Sequence, residues 1–437
     1  MFESAAQIEA ALVAHPKFVD VRASDADYDL EEAIGLADAL GVNPVEARIV
    51  PVRDIKVANF FGSGQIDDMK SAIHAHDIKL AIVNASLSPI QQRNLEKLWG
   101  IKVIDRTGLI LEIFGLRAAT KEGALQVELA RLGYERSRLV HTWTHLERQR
   151  GGTGAVAGPG ETQIESDRRV LNDKMARLKR QLDDVRRTRG LQRQKRQRAP
   201  ERVVALVGYT NAGKSTLFNH LTKGGVLAKD MLFATLDTTH RVLPLPSGNT
   251  AILSDTVGFI SDLPTSLITA FRATLEEVKE ADLLLHVRDM SDPLTERRRE
   301  EVMQVLDQIN AGPEHGQDIL EVWNKTDLLQ DEARQSLTER AEASRELSGM
   351  MNACQISCLS GEGLELLNEQ IEKQLTAFDH ILNVKIPPSA FIARAWLHEN
   401  GQVLEETSGQ DGSFNMTVRV SESDAGRFRA KNSQYVL

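Results

Sequence analysis

Over roughly the first 115 residues, short apolar runs alternate with amphipathic stretches. Lys17–Val21, Ala47–Val52, Leu80–Val83 and Val103–Ile104 read as strands. Leu30–Leu40, Gln65–Ala75 and Pro89–Leu98 read as the helices between them. Such alternation predicts a parallel sheet covered by helices. The period then changes. Leu125, Leu129, Leu132, Leu139, Trp143 and Leu146 follow a 4-3 spacing with Arg136 in one seam position, and Leu171, Met175, Leu178, Leu182 and Val185 repeat it. Two heptad-like segments across a short break predict an antiparallel helical hairpin. The break, Gly151–Gly160, holds five Gly and one Pro in ten residues and reads as the hairpin tip. Glu161–Gln163 restart the second helix, and Ala199-Pro200 ends it.

Strand–helix alternation returns from Arg202 to near Phe378, with strands at Val203–Val207, Ala251–Ser254, Leu283–Val287, Ile319–Trp323 and Ala353–Ile356. After Ile381, a strand at Leu382–Ile386, a helix at Ala390–His398 and strands near Val403 and at Met416–Val420 predict a small α+β module. The expected organisation is an N-terminal α/β subdomain over 1–118, the hairpin over 119–199, a second α/β domain over 200–380 and the module over 381–437.

Composition fits that plan. A chain of 437 residues has room for about three domains. Hydrophobic content of 41% and charged content of 26% describe a folded protein and not a disordered one. Two cysteines exclude a disulfide scaffold and point to a reducing compartment. The opening residues carry Glu3 and Glu9 and no base before Lys17, which does not read as a secretory leader. No run approaches the ~18 apolar residues of a membrane span. A cytoplasmic monomer without integral membrane association is the expectation.

The net charge of −9 argues against a nucleic-acid partner until its distribution is considered. Arg168–Arg198 carries 13 Lys and Arg against three acids, a local net of +10 that leaves −19 on the rest. A solvated coiled-coil face is one reading of such a block. The other is an RNA-binding arm, because positive charges this dense repel one another unless an anion binds. The tip favours RNA: Gly151, Gly152 and Gly154 are small, and Arg148, Arg150, Arg168 and Arg169 flank them. DNA is not expected.

The sharpest chemical signal is Gly208-Tyr209-Thr210-Asn211-Ala212-Gly213-Lys214-Ser215-Thr216, directly after an apolar strand and before an amphipathic stretch. It matches GxxxxGK[ST], in which glycines let backbone N–H groups face phosphates. Lys214 would neutralise β/γ oxygens and Ser215 would hold Mg²⁺. Asn324-Lys325-Thr326-Asp327, after a later strand, supplies the base preference. The Asp327 carboxylate can accept both adjacent guanine donors, and adenine would leave what is expected to be a buried acid unpaired. Asp255-Thr256-Val257-Gly258 places Asp255 near Mg²⁺ and the Gly258 N–H near the γ-phosphate. Within Phe233-Ala234-Thr235-Leu236-Asp237, Thr235 is the expected second Mg²⁺ ligand, with Thr238 and Thr239 as competitors. Ser357-Cys358-Leu359 would give backbone N–H groups to guanine O6. Together these elements predict a P-loop GTPase that binds GTP and GDP, with Lys214, Thr235 and Gly258 acting directly in catalysis.

Two positions qualify that reading. Phe259 follows Gly258, where many GTPases carry the Gln that orients the attacking water, so unaided hydrolysis should be slow. Asn211 either helps hold K⁺ near the phosphates or is favoured for a tight turn. Weaker patterns carry less. Gly62-Ser63-Gly64 lacks a third Gly and reads as a strand-to-helix turn, and Cys354 with Cys358 reads as core packing, not a zinc site.

The chain resembles the HflX family of ribosome-associated GTPases over nearly its whole length. The resemblance is carried by Phe61-Gly62-Ser63-Gly64, Val103-Ile104-Asp105-Arg106-Thr107-Gly108, Leu125-Gln126-Val127-Glu128-Leu129-Ala130, His145-Leu146-Glu147-Arg148-Gln149 and Gly158-Pro159-Gly160-Glu161-Thr162-Gln163. It implies a GTPase that binds the large ribosomal subunit and its rRNA, separates stalled or stressed ribosomes, and reaches toward the peptidyl-transferase region with the Gly151–Gly160 loop. A GTP-gated assembly or hibernation factor without splitting activity is the alternative.

Overall fold

The computed structural model of the chain describes residues 9–19, 22–147, 159–196, 202–222, 232–233, 235–236, 238–261, 272–348, 352–377, 379–409 and 411–437. Its first sheet holds β1 (Ala10–Phe18), β2 (Asn43–Val52), β3 (Leu80–Val83) and β4 (Lys102–Asp105), all parallel, in the order β2-β1-β3-β4. Helices α1 (Ala23–Leu40), α2 (Ser63–Ala75), α3 (Pro89–Trp99) and α4 (Arg106–Arg117) cover it.

Two features of this sheet depart from the sequence reading. The first strand lies upstream of Lys17–Val21 and ends at Phe18. Pro16 hid it, because an imide without an N–H argues against a strand interior. It is tolerated because β3 pairs with β1 only over Ala11–Ala14, so beside Pro16 the only paired neighbour is β2. Helix α4 gave no amphipathic signal because it is buried almost all round, with Leu109, Ile110, Ile113 and Phe114 at most 1% exposed.

Helices α5 (Lys121–Glu147) and α6 (Pro159–Arg196) pack against each other as the expected hairpin. The buried face of α5 is set by the first domain as well as by α6. Val127 and Ala130 join the core around Ile113 and Phe114, whereas Leu125 and Leu129 are half-buried. Tyr134 donates to Asp105 Oδ1 at 2.6 Å, and Arg138 to Asp105 Oδ2 at 2.5 Å. On α6, Met175 and Leu182 are buried. Pro159 and Gly160 belong to the first turn of α6 and not to the tip, since proline is preorganised for the first helical position. Residues 148–158 and 197–200, with the predicted tip and Ala199-Pro200, lie outside the described residues.

The second sheet has six strands in the order β10-β9-β8-β5-β7-β6. These are β5 (Arg202–Gly208), β6 (Thr239–Pro244), β7 (Thr250–Asp255), β8 (Leu283–Asp289), β9 (Asp318–Asn324) and β10 (Ala353–Gln355). All pairs are parallel except β6 with β7. The unpredicted β6 is an edge strand in which only Leu243 is fully buried, so no apolar run marked it. Helices α7 (Lys214–Leu221), α8 (Arg272–Lys279), α9 (Thr295–Gln308), α10 (Asp331–Ser348) and α11 (Leu364–Leu375) accompany this sheet.

The terminal module pairs β11 (His380–Ile386), β12 (Gln402–Ser408) and β13 (Phe414–Val420) antiparallel, in the order β11-β13-β12. Helices α12 (Phe391–Asn400) and α13 (Glu422–Asn432) supply Leu397 and Phe428 to its core. The polar α13 was not foreseen, because it buries little besides Ala425 and Phe428.

One hydrophobic core runs from the first sheet into the second. Phe114 of α4 meets Phe233 edge-on, with ring centroids 4.6 Å apart at 81°. Phe114→Ala should therefore cost about 3–5 kcal/mol in urea unfolding. Leu116→Ala, at a position 66% exposed, should stay within about 0.5 kcal/mol.

Candidate functional site

A cleft of about 540 Å³ opens at the carboxyl ends of the second sheet's strands, where open α/β sheets bind ligands. The loop after β5 forms its floor. Gly208 has φ +144°, and a Cβ there would lie 2.2 Å from Val287 O. Gly213 has φ +98°, and a Cβ there would lie 2.2 Å from Asn324 Nδ2. Both positions require glycine, and the second turns the amino terminus of α7 into the cleft. Lys214 is buried, and its Nζ donates to Gly208 O at 3.0 Å and Tyr209 O at 2.7 Å. Burial lowers its amine to about 8. Asn211 has φ 61°, a left-handed turn conformation that Asn tolerates.

Three oxygen-bearing side chains converge beside Lys214. Ser215 Oγ lies 2.9 Å from Thr235 Oγ1 and donates to Asp255 Oδ2 at 2.7 Å, and Thr235 Oγ1 donates to the same oxygen at 2.9 Å. Asp255 Oδ1 is buried with no hydrogen-bond partner among the described residues. Burial raises the Asp255 carboxyl pKa, opposed by the hydroxyl donor from Ser215, the nearby positive charge of Lys214 and the hydroxyl donor from Thr235. An all-oxygen set around one orphaned carboxylate oxygen suits Mg²⁺, a hard cation that completes its shell with water and phosphate. Thr235, not the exposed Thr239 of β6, reaches this point. No group of three or more His, Cys, Asp or Glu suited to a metal occurs among the described residues.

The far end of the cleft is built on β9. Asn324 ties it together, donating from Nδ2 to Ala212 O at 2.8 Å and accepting from Cys358 N at 3.1 Å. Thr326 Oγ1 donates to Ile356 O at 2.9 Å, and Lys325 Nζ pairs with Asp289 at 2.6 Å. Asp327 accepts from Ser357 Oγ at 2.6 Å. Two expectations change here. Asp327 is exposed at the cleft mouth, so any penalty for a mismatched base arises only once the base covers it. The Ser357 and Cys358 N–H groups already donate to Glu362 O and Asn324 Oδ1, which leaves the Leu359 N–H as the loop's available donor to a base. Cys354 and Cys358 are buried, and burial pushes both thiols up to about 12.

The segments flanking the phosphate end are anchored in the first domain. Phe233, Leu236 and Val257 are buried in the shared core, and Thr256 donates to Leu206 O at 2.5 Å. Phe259 donates from N to Gly208 O at 3.1 Å and accepts from Thr210 N at 2.8 Å. Sequence reasoning missed the next contacts. The Tyr209 hydroxyl donates to Glu32 of α1 and accepts from Ser261 N at 2.7 Å. Arg106 of α4 donates to Ser261 O at 2.8 Å and to Glu32 at 2.5 Å, and Ser261 Oγ donates to Glu301 at 2.9 Å. Burial, and then Glu32, hold the Tyr209 phenol well above its ordinary range. No spacing pattern reveals these contacts, because Tyr209 lies 177 residues from Glu32 and Ser261 lies 155 residues from Arg106.

The structure thus gathers the residues of the Gly208–Thr216 loop, Thr235, Asp255, Gly258 and the Asn324–Asp327 and Ser357–Leu359 segments around one cleft. Arg168 and Arg169 are exposed on α6. Ala234, Asp237, Arg148, Arg150, Gly151, Gly152 and Gly154 lie outside the described residues.

Lys214 must be cationic to hold phosphate, and bound phosphate favours its charged form. Nucleotide affinity should therefore be level below about pH 8 and fall above it, as the free amine deprotonates. Calorimetry in buffers of differing ionisation enthalpy should show up to about one proton taken up per nucleotide above that pH. Lys214→Arg should abolish the uptake.

Family profiles match the chain in four consecutive segments. They are described as GTP-binding GTPase N-terminal (27–115), GTP-binding GTPase middle region (117–196), 50S ribosome-binding GTPase (203–325) and HflX C-terminal domain (337–434). The GTPase HflX of Magnetococcus marinus is 46% identical over 402 residues, covering 92% of this chain and 90% of that protein. The GTPase HflX of Escherichia coli is 39% identical, covering 96% and 95%. The crystal structure of an SsGBP–GDP complex matches with a TM-score of 0.50 at 25% identity, over 84% of this chain and 99% of that one. With the cleft in place and relatives this similar over nearly its full length, the chain belongs to the HflX family of GTPases and is a GTP-hydrolysing enzyme.

Proposed function

We propose that GTP lies across the cleft, with its phosphates on the Gly208–Ser215 loop and its guanine against Asp327, and that its state is relayed to the α5–α6 hairpin, which docks on the rRNA of the large ribosomal subunit and separates stalled or stressed ribosomes. The observation that carries this reading is the anchoring of both phosphate-flanking segments in the domain that bears the hairpin, through Phe233 on Phe114 and Ser261 on Arg106. A γ-phosphate that reorders Thr235 and Gly258 strains those contacts, so the arm can respond to the nucleotide. The arm has the charge for RNA: Arg168, Arg169, Lys174, Arg177, Lys179 and Arg180 are all exposed on α6. The acidic remainder of the chain limits docking to that surface. The profile over 203–325 is itself described as a 50S ribosome-binding GTPase.

Within the cleft, Lys214 neutralises β/γ oxygens and the Gly258 N–H donates to the γ-phosphate. Ser215 and Thr235 would hold Mg²⁺ directly and Asp255 through water, and the ion supplies charge neutralisation at the β- and γ-phosphates. Asn211 contributes a ligand to K⁺ in the same reading. No helix among the described residues is long and apolar enough to cross a membrane, and we place the protein in the cytoplasm, as a monomer, where its ribosomal partner is.

Purified large subunits should raise the GTP hydrolysis rate of the full chain at least about tenfold, equivalent to ~1.4 kcal/mol of barrier. Sedimentation with a non-hydrolysable GTP analogue should convert intact ribosomes to subunits; binding without that conversion would mark a factor that docks but does not split. Asp327→Asn should weaken GTP and favour xanthosine triphosphate, because the amide donates where the carboxylate accepts.

A further inference from the structure

The terminal module has a concave surface of its own, whose lining shares no residue with the nucleotide cleft. A groove of about 540 Å³ lies between α12, α13 and the turn at Ser433–Tyr435. Ile392, Ala393, Trp396 and Phe428 supply its apolar lining. Ile392 is 72% exposed, and its neighbour Phe391 is 69% exposed. Two adjoining large apolar side chains beside a groove exceed the scattered exposure ordinary to a protein surface. Trp396 and Tyr435, half-buried in the same lining, have an indole N–H and a phenol hydroxyl without a hydrogen-bond partner among the described residues. Aromatic residues with an apolar body and a free polar end are the usual anchors of a partner.

The charge of the groove selects that partner. Arg427 and Lys431 line it, and no acid does. Arg427 is 72% exposed, and its one ion pair among the described residues is Asp424 at 3.3 Å. Lys431 is exposed and has no ion pair among the described residues. On a chain of net charge −9 this is a local reversal of sign. The two cations and the indole N–H are donors only, so carboxylates complement them. RNA fits less well, because two cations are few for a phosphate backbone. The Trp396 ring is also already set against Phe428, with centroids 5.5 Å apart at 30°. A second copy fits worse, since two-fold pairing of this face would set one positive rim against the other.

We infer that the groove is a docking site for an acidic amphipathic helix of a partner protein. A trough between two helices, with small Ala393 in its lining, seats a third helix through side chains spaced i, i+3, i+4 and i+7. The carboxylates of that helix reach Arg427 and Lys431 at the rim. One groove of this size falls short of a standard interface, so the contact is weak and reversible.

A phage-displayed library of random peptides about 16 residues long, roughly four helical turns, tests this by selection on the full chain. Counter-selection on Lys431→Glu removes peptides held by the basic α6 instead. The surviving peptides should carry Asp or Glu among Leu, Phe or Trp at helical spacing, and bind more weakly at high salt. In fluorescence polarisation, Trp396→Ala and Lys431→Glu should each weaken binding at least about tenfold. The second variant changes an exposed side chain, so it stands even where Trp396→Ala fails to fold. Peptides with single acid-to-lysine changes should recover, at one position, the affinity lost in Lys431→Glu. Selection that yields no acidic amphipathic peptide, or peptides that bind both variants as tightly as wild type, would overturn the assignment. So would oligouridine binding that both variants abolish, which gives the groove to RNA, or a dimer in ultracentrifugation that both dissociate, which gives it to a second copy.

Discussion

The Tyr209 hydroxyl sits where the phosphate loop, the segment after Gly258 and the first domain meet, bonded to Glu32 and to Ser261. Tyr209, Arg106 and Ser261 are each less than a tenth exposed, and the Arg106–Glu32 pair is 7% and 6% exposed at its side chains. Charges this buried are tolerable only when paired and fully hydrogen-bonded, so removing one partner from such a cluster costs about 3–5 kcal/mol. Every polar group of Ser261 is used: its N–H on Tyr209, its carbonyl on Arg106 and its hydroxyl on Glu301. The two domains are therefore joined by directional bonds at the place a γ-phosphate would disturb. Arg298 stacked 4.5 Å from the Tyr209 ring centre closes the remaining side.

This junction organises the cleft as well as the domains. With Phe259 drawn into the shared core, its backbone continues the β5 pairing onto the phosphate loop, bonding Gly208 and Thr210. The loop is thereby held open for phosphate by its neighbours and not by its own sequence alone. The same arrangement keeps the Phe259 side chain out of the cleft. Thr210 fits beside position 258 because Gly258 has no Cβ, which would lie 2.8 Å from Thr210 Cγ2.

Local patterns carried much of the architecture. Strand β3, helix α2 and the sheet strands that lead to the phosphate and base loops are apolar or amphipathic runs bounded by turn residues, and each lies close to where that pattern places it. The exceptions share a cause. Strand β1 contains Pro16, α4 is buried over most of its surface, β6 is an exposed edge and α13 is mostly polar, so each is fixed by its neighbours and not by its own periodicity. The hairpin's 4-3 repeat was visible, but Val127 and Ala130, off that seam, carry the packing of α5 on the first domain.

The sequence by itself determined the chemistry of the cleft, because nucleotide recognition uses contiguous loops: GxxxxGK[ST], DxxG and NKxD each act through a few adjacent residues whose spacing is the signal. It also determined where the positive charge lies. Tertiary structure decided which of three threonines joins Ser215 and Asp255, which N–H groups of the Ser357–Leu359 loop are already engaged, and that Tyr209 answers to Glu32 and Ser261. Those choices depend on side chains far apart in the chain meeting in a dry interior, where burial makes a lone polar group costly and a paired one decisive, and no local spacing encodes such a meeting.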